Sequence, residues 1–227
     1  MNEANQQESV QPQLSAIEAR LLGVLMEKQQ TTPDTYPLTL NSLVLGCNQK
    51  TSREPVSNYT SGEVQHCARE LEEKNLIHID PSGRVDRYAQ RLTATLGIDK
   101  GVQALFSAML LRGAQTVHEL LSRTQRMYNF ENDQQVEDIL EQLCQDSPPM
   151  VQRIPRQTGQ REDRFVHLFC GEPDLTAIAA KRSDSKSPIS NKTYEQVETL
   201  EKRVAELEKK VEFLMAELEL TAPQTED

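Results

Sequence analysis

Two short segments carry side chains that proteins use to contact nucleic acid. The first contains Asn48, Gln49, Lys50 and Arg53. Asparagine and glutamine can hydrogen-bond to adenine edges, whereas lysine and arginine bind phosphate or guanine. A second interpretation stays open, in which the loop folds on its own side-chain hydrogen bonds and Arg53 pairs with Glu54 or another acid.

The second segment, residues 153–164, has the highest density of basic residues in the chain. It combines four arginines with two acids, a local net charge of +2: Arg153, Arg156, Arg161 and Arg164 against Glu162 and Asp163. Gly159 allows a tight turn, and arginines on a projecting loop suit the negative potential of a narrow minor groove. The alternative is that these arginines pair with Glu162, Asp163 or the acidic helix that precedes them.

Motifs for catalysis or metal binding are missing from the sequence. It has no nucleophile elbow, phosphate loop, HExxH motif or pair of catalytic carboxylates. Its histidines lack partners at metal-ligand spacing, and its four cysteines form no CxxC pair. We therefore expect no enzyme activity, and neither a metal nor an organic cofactor.

The charge balance bears on the nucleic-acid interpretation. The 227 residues carry a net charge of −10, which divides into −3 for residues 1–98, −3 for residues 99–172 and −4 for residues 173–227. No segment is basic overall, which counts against nucleic-acid binding, although a local basic patch can suffice. Tryptophan is absent and aromatic residues make up 4%, so deep base-stacking grooves are not expected.

Cysteine placement and hydropathy predict a cytoplasmic protein. Cys67 and Cys144 fall on apolar helix positions, which predicts buried thiols in a reducing compartment. The polar N-terminus, MNEANQQESVQPQ, has no signal-peptide core. The longest apolar runs, such as residues 24–26, are far too short to span a membrane.

The elements that must position these residues begin with three helices and a hairpin. Capping boxes at Ser15 and Thr60 predict the starts of the first and third helices. Pro37 suits the first turn of a second helix between them. Residues 76–79 then predict a strand, and residues 84–89 predict the partner strand of a hairpin.

The same order repeats further along. Asp99, Thr116 and Asn132 can cap three more helices, and residues 150–155 and 164–169 predict a second hairpin. Three helices closed by a hairpin are the winged-helix pattern, with a generic α+β domain as the alternative.

The spacing of the apolar stripes supports a duplication. Val64 and Val136 begin matching stripes in the two third helices, 72 positions apart, and Leu21 and Leu105 match in the first helices, 84 positions apart. We therefore predict a mainly α, α+β winged-helix fold with two tandem modules, residues 14–93 and 97–172.

A different pattern follows the second module. Residues 1–13 and 221–227 read as tails, 173–190 as a linker and 191–220 as a coiled-coil helix. Valine at position a with leucine at d favours a parallel two-stranded coiled coil. We predict a homodimer through six such side chains: Val197, Leu200, Val204, Leu207, Val211 and Leu214. The rival interpretation is one amphipathic helix that packs on its own domains, because short coiled coils are marginal.

Four segments form recognisable motifs: LSAIEAR (residues 14–20), NQKTSREPV (48–56), RGAQTVHE (112–119) and PRQTGQREDRFVHL (155–168). Together these motifs resemble an uncharacterised bacterial family, the YceH-like proteins. His118 departs from the pattern, which has a small residue there. The resemblance implies a tandem winged-helix fold and no established activity.

Two functions remain open on the sequence. One is a DNA-binding, transcription-regulator-like protein that contacts double-stranded DNA through the two basic segments. The other is an acidic winged-helix scaffold that binds another protein and no DNA. Neither involves a membrane.

Overall fold

The structure is a computed structural model that describes residues 12–156 and 161–174. These residues form an α+β unit with seven α-helices and five short strands. The predicted coiled-coil helix at 191–220 lies outside the described residues, together with its six dimerisation residues. Gly159 and most of the predicted tails and linker also lie outside them.

The first half contains three α-helices and a small three-stranded sheet. Its elements are α1 (Ala16–Thr31), β1 (Leu38–Thr39), α2 (Leu40–Cys47), α3 (Ser61–Glu73), β2 (Ile77–Asp80) and β3 (Arg87–Gln90). The predicted capping boxes are confirmed at Ser15 and Thr60. At Ser15 the backbone N–H donates to Glu18 Oε2 at 2.7 Å, and the Ser15 hydroxyl accepts from the Glu18 N–H.

The prediction that Pro37 starts the second helix is wrong. Residues Leu38 and Thr39 form strand β1, and α2 begins after them with Thr39 as its N-cap. The Thr39 hydroxyl accepts from the Ser42 N–H at 3.2 Å. Leu38 can remain extended because it pairs with Tyr88, a partner fifty residues away that local sequence does not reveal.

The second half begins after a short connecting helix, α4 (Leu92–Leu96), which the sequence analysis missed. It contains α5 (Lys100–Arg112), α6 (Val117–Thr124), α7 (Asp133–Gln145), β4 (Val151–Ile154) and β5 (Arg164–His167). Asp99, Thr116 and Asn132 cap the three long helices as predicted. The predicted hairpins are likewise present, as β2–β3 and β4–β5.

The two halves repeat one order of elements. The N-caps Ser15, Thr39 and Thr60 are followed 84, 77 and 72 positions later by Asp99, Thr116 and Asn132. The extra residues of the first half therefore lie in two places, seven before the second helix and five before the third. In each half, a short extended stretch before the second helix pairs with the last hairpin strand.

The halves keep separate sheets but share a core. Helix α1 packs along α5, and a side chain at Gly23 would begin 2.9 Å from Leu111. Across the same seam, Ser107 donates to Gly23 O at 3.3 Å and Gln103 donates to Met26 O at 3.2 Å. The buried apolar side chains of both halves form one continuous cluster, and the described residues lie in one compact unit.

Candidate nucleic-acid interface

The loop between α2 and α3, residues 48–59, is closed by Asn48. The Asn48 amide nitrogen donates to Tyr59 O at 2.7 Å, and its amide oxygen accepts from the Tyr59 N–H, also at 2.7 Å. Both ends of the amide are therefore engaged within the loop. In this conformation Asn48 does not present a free amide to a base edge, as the self-bonded interpretation of the loop anticipates.

Arg53 lies inside the molecule, with no exposed side-chain surface. Its Nε donates to Gly46 O at 2.9 Å, and its Nη1 donates to Glu27 Oε1 at 3.1 Å. The acid that pairs with Arg53 is Glu27 of α1, and Glu54 is exposed. Arg53 therefore shapes the loop from within and has no surface for a phosphate.

The remaining two predicted loop residues are more accessible. Lys50 is exposed, and Gln49 is half-buried. The Gln49 amide nitrogen donates to the Thr51 hydroxyl at 3.2 Å, within the loop itself. Of the basic residues predicted here, Lys50 is the one available to a partner.

At the base of the β4–β5 hairpin, arginines are neutralised by acids. Arg153 Nε donates to Asp163 at 2.7 Å, Nη1 donates to Glu141 at 2.9 Å, and Nη2 lies 3.6 Å from Glu137. The hydrogen bond that Arg153 donates to Asp163 raises the pKa of Arg153 above its ordinary value. This is the pairing with the acidic helix that the sequence left open as an alternative.

Arg164 has an equivalent role on the opposite strand. It pairs with Glu119 of α6, and its Nη1 also donates to Ala114 O at 3.0 Å. Burial of Glu119 would raise its pKa, but hydrogen bonds from Thr116 and then Arg164 outweigh burial and lower it. Arg164 is therefore a structural cation at the junction of the hairpin with α6.

Arg156 and Arg161 differ from the two base arginines. Both are exposed, and Arg156 Nη1 donates to Arg161 O at 3.1 Å. Asp163 accepts from the Arg156 backbone N–H at 2.9 Å, which together with Arg153 lowers the pKa of that carboxyl. Within the described ranges, the ion pairs of the hairpin involve Arg153 and Arg164 and no acid pairs with either Arg156 or Arg161.

A cleft of about 510 Å³ opens beside this hairpin, against the first turns of α6 and α7. Its charged lining combines Arg153, Arg156 and Arg161 with Asp133, Glu137, Glu162 and Asp163, around His118, Val117 and Phe165. His118 Nδ1 lies 3.5 Å from Asp133, and both side chains are more than half exposed. The hairpin contributes both arginines and the carboxylates Glu162 and Asp163, and α7 contributes carboxylates alone to the charged lining.

Three further exposed arginines lie in the first half of the molecule, on elements that the sequence did not single out as basic. Arg69 lies on α3, and Arg84 and Arg87 lie on the β2–β3 hairpin. Part of the acidic charge nearby is already engaged, because Glu72 accepts from the Ile79 N–H at 2.9 Å and Glu63 caps its own helix. The repeat itself was the available signal, since Arg84 and Arg87 occupy the hairpin that corresponds to residues 153–164.

The comparisons with known proteins agree on one family. A family model described as a protein of unknown function, DUF480, matches residues 14–160. The chain belongs to the DUF480 family. A UPF0502 protein from Cellvibrio japonicus is 54% identical to the chain, over 90% of this chain and 95% of the relative. UPF0502 proteins from Stenotrophomonas maltophilia and Pseudomonas fluorescens are each 44% identical, over 91% and 89% of this chain and 93% and 94% of their own lengths. These matches confirm the family resemblance that the motifs indicate.

The four sequence motifs that indicate the family are in contact as two pairs. Arg20, at the end of the first motif, donates to Pro55 O in the second at 2.6 Å. Gln115 in the third motif bridges Phe165 in the fourth through two backbone hydrogen bonds. Each half of the molecule thus contains one pair of motifs in contact.

Three further findings concern the helices, the metal-ligand groups and the cysteines of the described residues. None of their helices is long and apolar enough to cross a membrane. Their histidines, cysteines and carboxylates also form no group of three or more that could hold a metal ion. Cys67 is buried as predicted, whereas Cys144 is only partly so.

Proposed function

We propose that this chain is a non-catalytic tandem winged-helix protein that binds double-stranded DNA. The observation that supports this best is a repeated pairing with the last hairpin strand. Leu38 of strand β1 pairs with Tyr88, and 77 positions later Gln115 forms an isolated bridge with Phe165. We interpret this order, a helix, a short extended stretch, two helices and a hairpin that pairs with that stretch, as two copies of a winged-helix module.

Three cations are proposed to contact phosphate. Lys50 lies in the loop before α3, and Arg156 and Arg161 lie beyond the base of the β4–β5 hairpin. Exposed cations bind DNA by releasing counterions from its backbone. The other arginines of the two segments have a structural role, because acids already balance their charges. Arg53 pairs with Glu27, Arg153 with Glu141, and Arg164 with Glu119.

Helix α7 is not proposed to enter the major groove. It contains no lysine or arginine, and its side chains include Asp133, Glu137, Asp138 and Glu141. A phosphate backbone would repel such a surface. The first half, with Arg69 on α3 and Arg84 and Arg87 on its hairpin, is the better candidate for groove contacts.

Titration of labelled duplex DNA at several salt concentrations tests the proposal. With three phosphate contacts in each chain, the logarithm of the association constant should fall with the logarithm of salt with a slope of about −2.7 for each chain that binds, from about 0.9 per contact. Binding that is absent at low salt, or that does not respond to salt, would overturn it.

The second candidate function is a protein-interaction scaffold. Leu45 on α2 and Val56 in the following loop are 64% and 59% exposed. A partner protein could cover them, and the acidic face of α7 would favour a basic partner. Absence of DNA binding together with a stoichiometric co-purifying protein would select this function.

We also propose that the chain assembles as a homodimer. The proposal depends on the heptad pattern from Val197 to Leu214, with valine at a and leucine at d. A dimer would place two copies of each basic hairpin on one DNA molecule, which suits a regulator that reads two half-sites.

A further inference from the structure

Helix α2 ends with two carbonyls that receive arginine side chains. The last four carbonyls of an α-helix lack an intrahelical donor, and the helix end carries a partial negative charge. At this end of α2, Arg53 donates to Gly46 O at 2.9 Å and Arg20 donates to Cys47 O at 3.1 Å. Two guanidinium groups therefore cap one short helix from the interior.

Arg20 is the more unusual of the two. It projects from α1 and is 4% exposed, yet its acceptors in the described chain include no carboxylate. They are Cys47 O, the Ser57 hydroxyl at 3.1 Å and Pro55 O at 2.6 Å. Burial lowers the pKa of the guanidinium, and the helix end supplies the partial negative charge that stabilises it.

The three acceptors of Arg20 lie at both ends of the loop that carries Lys50. Cys47 precedes this loop, and Pro55 and Ser57 lie in its second part. The Ser57 hydroxyl also donates to Cys47 O at 2.9 Å, so the two ends meet over the guanidinium. Three residues further on, Thr60 starts α3.

The same loop contacts the second half of the molecule. The Glu54 N–H donates to Leu111 O, at the end of α5, at 2.8 Å. A loop of twelve residues that lost the Arg20 contacts would gain conformational freedom, which binding would then have to remove again. Its conformation therefore affects both the position of Lys50 and the start of α3.

We propose that Arg20 is a positioning residue for DNA binding, which holds the α2–α3 loop and the start of α3 in the conformation that contacts the duplex. The proposal rests on the proposed DNA-binding function. Arg20 itself is buried and does not touch phosphate. Its loss should therefore weaken binding by a similar factor at every salt concentration, whereas the loss of a phosphate contact changes the salt slope.

The test uses the full chain with Arg20→Met, Arg20→Lys and Lys50→Ala. A control, Leu143→Ala, removes a buried side chain of the second half and lowers general stability without touching the loop. Amide hydrogen exchange at Glu54 and Tyr59, whose N–H groups are hydrogen-bonded, reports on the loop. Duplex titration at four salt concentrations gives the affinity and the slope.

With Arg20→Met, exchange at these two amides should rise at least about tenfold above the control, since the local opening energy falls. DNA affinity should fall by about tenfold with an unchanged slope. Arg20→Lys should recover part of both effects because it retains the charge, and Lys50→Ala should flatten the slope by about 0.9.

The proposal is overturned if Arg20→Met leaves loop exchange at the level of the control, if it changes the salt slope, or if Leu143→Ala weakens DNA binding equally. Failure of the wild-type chain to bind any duplex overturns the DNA-binding function, and the positioning role with it. The exchange measurement needs no DNA, so it distinguishes a loop that Arg20 does not hold from a loop that it holds for another purpose.

Discussion

Arg53 and Glu27 form an ion pair in which the guanidinium has no exposed surface and the carboxylate is 16% exposed. Two nitrogens of Arg53 donate to the two oxygens of Glu27, so the pair is bidentate. The loop that was predicted to read DNA is therefore joined to helix α1, 26 residues earlier in the chain.

Removal of the acid from this pair should destabilise the fold. Glu27→Leu leaves a buried, uncompensated guanidinium, so we expect the free energy of unfolding to fall by about 3 kcal/mol. Urea unfolding measures the change. Glu54→Leu is the matched control, because Glu54 is next to Arg53 in sequence but exposed, and it should change stability by less than about 0.5 kcal/mol. The reverse ranking of the two variants would contradict the pairing.

The two exposed hairpin arginines should contribute to DNA binding and little to stability. We expect Arg156→Ala combined with Arg161→Ala to reduce the salt slope of duplex binding by about 1.8, from about 0.9 for each lost contact. The melting temperature should hardly move, because exposed charged side chains contribute little to stability. Arg153→Ala is the control, since that side chain is already occupied by acids. Unchanged DNA affinity with a lower melting temperature would show that the pair is structural.

Stability should depend on pH through His167. This residue ends strand β5 and is buried at 8% exposure, with its ring stacked on that of Phe169. Burial lowers its pKa from 6.5 to about 4, and Nδ1 has no hydrogen-bond partner within the described residues. Between these two pH values the unfolded chain binds more protons than the folded chain. The contribution of His167 to the free energy of unfolding is therefore fully present above pH 6.5 and is lost as the pH falls toward 4.

The loss across this window should be about 3 kcal/mol at most, at 1.36 kcal/mol for each pKa unit. Urea unfolding between pH 7 and 4.5 measures it against His167→Gln, which should show a shallower decline. His118→Gln is the control because that side chain is largely exposed and should retain the wild-type profile. Identical profiles for wild type and His167→Gln would refute the assignment.

Gly46 should tolerate a methyl group only if Val24 is replaced by a smaller side chain. A Cβ at Gly46 would lie 2.6 Å from Val24 Cγ1, and Val24 is fully buried in the core. Gly46→Ala should therefore destabilise the protein by about 1–3 kcal/mol through overpacking. In a Val24→Ala background the same change should be neutral or stabilising. Additive effects in this double-mutant cycle would show that the two positions are not in contact.

The C-terminal heptads predict a concentration-dependent dimer. Light scattering on the full chain should give twice the mass of one chain. A chain that ends at Ser190 should give the mass of a monomer. The six apolar side chains at a and d would each contribute roughly 1.5–3 kcal/mol before entropic losses. Equal monomer masses for both chains would favour the rival interpretation, a helix that packs on its own domains.

Local sequence was sufficient for most of the helices and hairpins. Ser15, Thr60 and Thr116 were recognised as N-caps because a capping box connects residues only three positions apart. The hairpins were recognised because their strands are close in sequence. Strand β1 was missed because two residues contain too little pattern, and its partner Tyr88 is distant in the chain.

The basic residues of the candidate site show the same difference between local sequence and distant contacts. The sequence by itself determined which residue types gather in the two basic segments, and it left open whether each arginine contacts a partner or a neighbouring acid. Tertiary structure decided this, because Glu27 is 26 positions from Arg53 and Glu119 is 45 from Arg164. Charges so far apart in sequence meet only when helices pack, and packing leaves Lys50, Arg156 and Arg161 in solvent while it encloses Arg20 and Arg53.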